Sequence, residues 1–169
     1  MTAGRTALST VFSILAAATL GGCFAWGEPV STFWMKDCLE GTEQKLADTD
    51  FSTARQINIA IRQGDFSPMI VRLTQNRPYL LRIRNRDEWS HVFNAPDFFR
   101  SVAIAAVAVD NELIEERCFR AIALKPGQTA EIQLLAVKDG RFVFEDTRHV
   151  VPLVPPRGNG GVITVDEAL

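Results

Sequence analysis

The chain predicts an all-β protein, a sandwich or barrel of about eight short strands. Three observations carry this expectation. Apolar residues alternate with polar ones at period two over many short segments from Gln56 onward. Proline–glycine and glycine turn signals separate these segments. No segment of the 169 residues shows a sustained helical period.

In order, "INIAIR" alternates Ile57, Ile59 and Ile61 with polar or small residues, and "MIVRLT" follows Pro68. "YLLRIRN" sets Leu81 and Ile83 against Arg82 and Arg84. Such alternation marks an antiparallel sheet with one face on a core. "VAIAAVAV", "FRAIAL", "AEIQLLAV", "RFVFED" and "GVITV" complete the set, with "KPGQ" and "KDG" as turns. "VAIAAVAV" is apolar throughout but far too short to span a bilayer, which takes about 20 residues.

The segment before them differs. Residues 24–55 show no strand alternation and are broken by Gly27, Pro29 and Gly41; "CLEGTEQKLAD" reads as a short helical turn. Further back, Arg5 precedes an apolar run from Val11 to Leu20, the pattern of a secretory signal peptide. The run ends in Leu20-Gly21-Gly22-Cys23, which resembles the bacterial lipobox. That resemblance implies cleavage before Cys23 and lipidation of its thiol; the alternative is a plain signal peptide with an incidental cysteine. Residues 1–22 are thus expected as signal peptide, 23–55 as lipidated cysteine and tether, and 56–169 as the domain. The expected location is the periplasm, anchored to a membrane. Phe24, rather than Asp, follows the cysteine and favours the outer one by analogy.

In an exported chain the remaining cysteines, Cys38 and Cys118, most simply form one disulfide. Two free thiols, or one thiol ligating a metal, are the alternatives. Beyond residue 22 there are seventeen basic and twenty acidic residues, net −3, so no basic surplus points to nucleic acid.

Three segments, in order, resemble the cupredoxin family: "YLLRIRNRDEWSHVFNAPDFF", "LKPGQTAEIQLLAV" and "GRFVFEDTRHVVPLVPPRGNGGVITV". The resemblance covers about Gln56 to Val165 and implies a cupredoxin-like Greek-key β-sandwich. It places His91 at the first copper-histidine position. In the ligand loop it places Asp146 where a blue-copper member carries cysteine, and His149 at the second histidine. The loop after His149 has no methionine.

The blue site needs a thiolate. Without one, the resemblance leaves a non-blue copper site of His91, His149 and a carboxylate, for copper handling or redox support. Period two makes Asp146, in phase with Phe142 and Phe144, the inward carboxylate and Glu145 the outward one. These are the chain's only two histidines. The competing expectation is a metal-free interaction or scaffold module at the envelope. Expected partners are the membrane, through the N-terminal lipid, and a periplasmic redox or copper-handling protein. "RIRNR" reads as a solvated face or an acidic-partner patch, and "PLVPP" as a stiff loop or an apolar rim. Ser90 beside His91 is not expected to make a hydrolase, because the sequence by itself shows no acid evidently placed to orient the histidine and neighbouring strand residues diverge. No enzymatic activity is expected.

Overall fold

The computed structural model describes residues 32–147 and 160–168. Arg5, Cys23, Phe24, Arg148, His149 and "PLVPP" lie outside them, and with them the expected signal peptide, lipidation site and second histidine.

Among the described residues, twelve strands form two six-stranded sheets. They are β1 (Thr32–Trp34), β2 (Arg55–Arg62), β3 (Asp65–Ser67), β4 (Ile70–Thr74), β5 (Pro78–Asn85) and β6 (His91–Asn94). The rest are β7 (Val102–Val109), β8 (Glu112–Ile114), β9 (Phe119–Leu124), β10 (Thr129–Ala136), β11 (Gly140–Asp146) and β12 (Gly160–Asp166). One sheet runs β1-β9-β6-β11-β12-β4, the other β3-β2-β5-β10-β7-β8. From β5 to β7 and again from β9 to β11, successive strands alternate between the sheets. This lacing makes one sandwich with one core.

The count exceeds the eight strands expected from alternation. The four additions, β1, β3, β6 and β8, are three or four residues long. That is too short for a period to register, and β6 is buried at all four positions, so it carries no alternation. Two short helices, α1 (Glu43–Ala47) and α2 (Pro96–Phe99), are the only α-helices among the described residues. None there is long and apolar enough to cross a membrane.

The sandwich also takes in part of the segment expected as tether. β1 pairs antiparallel with β9, and Met35 is buried in the core. Cys38 is bonded to Cys118, with Cα atoms 5.7 Å apart. The disulfide pins the chain after β1 to the residue before β9. Three paired residues and a covalent bond hold this segment where no alternation announced it.

The alternation places the core as expected. Ile59, Ile61, Leu81 and Ile83 are buried, while Asn58, Arg62 and Arg84 are exposed. Phe66, Phe93, Phe98, Phe99, Phe119 and Phe144 fill the interior. Phe93 and Phe144 stack at 5.0 Å, and the edge of Phe66 meets Phe144 at 5.1 Å. Aromatic side chains of this size bury large apolar areas and stabilise the core. They also form the floor beneath β6 and β11, where His91 and Asp146 sit.

Candidate functional site

β6 begins at His91. Its neighbour β11 ends at Asp146, which pairs with Phe93. Phe144 points into the core and so, two residues on, does Asp146; Val143 and Glu145 face out. The parity read from the sequence holds, and it brings the carboxylate to the imidazole.

His91 is fully buried. Its Nδ1 lies 2.7 Å from Asp146 Oδ2, within the short range of a charge-assisted hydrogen bond. The other Asp146 oxygen, Oδ1, accepts the Val92 backbone N–H at 3.0 Å. On the far side of the ring, Nε2 lies 2.9 Å from Asp87 Oδ2. The two atoms are close but not aligned as a straight N–H···O hydrogen bond.

Asp87 is itself held. The hairpin between β2 and β3 turns at Gln63 and Gly64, both at positive φ, the signature of a tight two-residue turn. Their N–H groups donate to the two Asp87 oxygens at 2.6 and 2.8 Å. Burial pushes the Asp87 carboxyl up. The N–H groups of Gly64 and Gln63, with the His91 imidazole, outweigh that and hold it below its ordinary value.

Asn85, fully buried, shapes the loop between. Its Oδ1 accepts the Asp87 N–H at 2.9 Å, and its Nδ2 donates to the carbonyls of Trp89, Leu124 and Lys125. The result is a buried chain of Asp146, His91 and Asp87, each carboxylate also bonded to backbone.

These donors do not fit a cupredoxin-type copper. The two ring nitrogens point in divergent directions, so one ion cannot use both Asp87 and Asp146 with this imidazole. At Nδ1, the Asp146 carboxylate oxygen at 2.7 Å stands in the direction from which a metal would approach the ring nitrogen. Among the described residues no three His, Cys, Asp or Glu side chains converge as a ligand set. Of the expected trio, His91 and Asp146 come together, and His149 lies outside the described residues.

Sequence reasoning missed Asp87. The only available signal was an acid four residues before a histidine, in a loop whose path no periodicity predicts. The "RIRNR" arginines divide. Arg82 pairs with Glu131 on the neighbouring strand at 2.8 Å, while Arg84 and Arg86 are exposed.

No protein-family model and no curated relative matches the chain. Solved structures do. The chain is similar to a multi-copper oxidase from Pseudomonas thermotolerans, at 19% identity over 69% of this chain and 30% of that one, with a TM-score of 0.50. It is also similar to auracyanin A, a blue copper protein of Chloroflexus aurantiacus, at 12% identity over 66% of this chain and 98% of that one, TM-score 0.44. A blue copper oxidase from Nitrosomonas europaea matches at 11% identity over 69% of this chain and 45% of that one, TM-score 0.48. This chain thus spans under a third of the first oxidase and under half of the second. At such identity, likeness shows fold alone. With the two laced six-stranded sheets and the position of His91 at the head of β6, the protein has the cupredoxin-like β-sandwich fold.

Proposed function

We propose that this protein is a metal-free, cupredoxin-like interaction module, in which the copper position of the fold has become a buried carboxylate–imidazole–carboxylate clasp. One observation carries the reading: both ring nitrogens of His91 already face carboxylates, and both carboxylates accept backbone N–H groups. Binding a cation at His91 Nδ1 would mean displacing the short buried contact that Asp146 already makes there. In this reading the clasp ties β6, β11 and the β2–β3 hairpin together at one end of the sandwich. The domain then works through its surface, held at the periplasmic side of a membrane by the expected lipid on Cys23, and carries out no chemistry of its own.

The second reading is the copper site of His91, Asp146 and His149. The short His91–Asp146 separation supports it, because two suitable donors for Cu(II) already stand together. One titration separates the two. Cu(II) is added to the full-length chain and to a His91→Ala/His149→Ala variant, with visible and EPR spectra recorded. The clasp reading expects no stoichiometric binding beyond that of the variant. A one-equivalent type-2 EPR signal that the variant lacks overturns it in favour of copper.

A further inference from the structure

The outer face of the first sheet carries a pattern that the clasp does not use. Among the described residues β4 is an edge strand, paired in parallel with β12, which pairs in turn with β11. Val71, Leu73, Ile163, Val165 and Phe144 point inward, so the alternate residues point out. The cross-strand register aligns those residues in rows. Val143 stands beside Val162, and Val162 beside Ile70. The next row is Arg141, Thr164 and Arg72.

The first row is apolar and open. Ile70 is 65% exposed and Val143 62%. In the second row, two guanidiniums flank a threonine across two interstrand spacings, about 10 Å. Neither Arg72 nor Arg141 has an ion-pair partner among the described residues. Together Ile70, Arg72, Arg141, Val162 and Thr164, with Asp166 at the rim, line a shallow cleft of about 350 Å³. Among the described residues Asp166 is the one acid lining it; Glu145, on the same face beyond the apolar row, accepts from Asn94 at 3.2 Å.

From these observations we infer that the β4 edge and this face form a docking surface for an extended segment of a partner protein. The segment adds as a strand beside β4, with an apolar residue facing Ile70 and an acidic residue two positions along facing Arg72. Strand addition gives affinity through the main chain, and specificity through alternate side chains. Opposite charges facing each other across a ladder stabilise it, and like charges destabilise it. The same rule selects against a second copy. Arg72 is the central residue of β4, so full-length antiparallel pairing of two β4 edges sets Arg72 against Arg72. An acidic partner resolves the charge that a second copy would double.

This inference rests on the reading that the domain acts by binding another macromolecule. Its failure leaves the copper titration undecided, and the converse also holds. The test selects displayed random ten-residue peptides on the full-length chain, and in parallel on an Arg72→Glu/Arg141→Glu variant. Both positions are exposed, and an unchanged thermal midpoint checks that the variant folds. The expected result is enrichment of peptides with an apolar residue two positions from Asp or Glu, and at least about ten-fold weaker binding of those peptides to the variant. Selection on the variant should turn to peptides carrying Lys or Arg at that spacing. Enrichment without acid bias, binding indifferent to the two substitutions, or no enrichment overturns the proposal. So does sedimentation showing a dimer that Ile70→Lys dissociates, which assigns the face to a second copy. Binding to vesicles of 30% phosphatidylglycerol that the variant loses, without peptide enrichment, assigns it to lipid and also overturns the proposal.

Discussion

Nδ1 of His91 and Oδ2 of Asp146 stand 2.7 Å apart in the interior, although 55 residues separate them in the chain. Removing the ring leaves two nearly buried carboxylates without their shared partner. His91→Ala is therefore expected to destabilise the fold by about 3–5 kcal/mol, the cost of breaking a buried pair from one side. A double-mutant cycle with Asp146→Ala should return a coupling of about 0.5–3 kcal/mol in chemical denaturation. Additive losses would mean that the two residues do not act as a unit.

Asp87 supplies the pH dependence. Its pKa is lowered by folding from the usual 3.8, so the ionised carboxylate stabilises the fold above that value. The contribution is lost as pH falls through the lower folded-state pKa. Asp87→Asn should cost about 1–2 kcal/mol at neutral pH, with two backbone N–H groups and the ring less well satisfied. Melting curves of the two proteins should converge as pH falls below 3.8. A gap that stays constant through that range would contradict the role assigned to this carboxylate.

The disulfide closes a long loop, with a sequence separation of 80 between Cys38 and Cys118. The entropic model of such a cross-link gives about 4.5 kcal/mol. Cys38→Ser/Cys118→Ser should lower stability by that order in urea titration, and protease cleavage should begin near residues 35–50. Cleavage appearing first in the second sheet would show that the bond does not hold this segment in place.

Gly161 sits where the chain enters β12. A Cβ there would collide with the Met69 carbonyl oxygen, which is backbone, and with the tip of the fully buried Phe144 ring. Gly161→Ala should cost at least about 1–3 kcal/mol by overpacking, read as a lowered thermal midpoint. Gly127→Ala meets no atom within 4 Å, and its strain comes only from a φ of +80°. The smaller effect is expected there.

The sequence by itself determined the class and the facing of the long strands. A strand writes its two faces into every second residue, and that local code survives without knowledge of neighbours. It sent Phe144 and Asp146 inward and Val143 and Glu145 outward, and it separated Ile59, Ile61, Leu81 and Ile83 from the polar face of their strands. Counting cysteines in a chain read as exported was enough to pair Cys38 with Cys118.

Tertiary structure alone decided what those inward residues meet. Asp87 reaches His91 because a loop braced by Asn85 folds back under a hairpin whose N–H groups hold it. The rows Val143–Val162–Ile70 and Arg141–Thr164–Arg72 exist only through the register of three strands, two of them parallel and distant in sequence. Strands of three or four residues, such as β1 and β6, owe their place to their neighbours, since they are too short to carry a period. Periodicity along a strand is local chemistry, whereas register and closure are settled by the packing of the whole core. For that reason the sequence placed a carboxylate inside the sandwich, and the fold determined that it would clasp an imidazole.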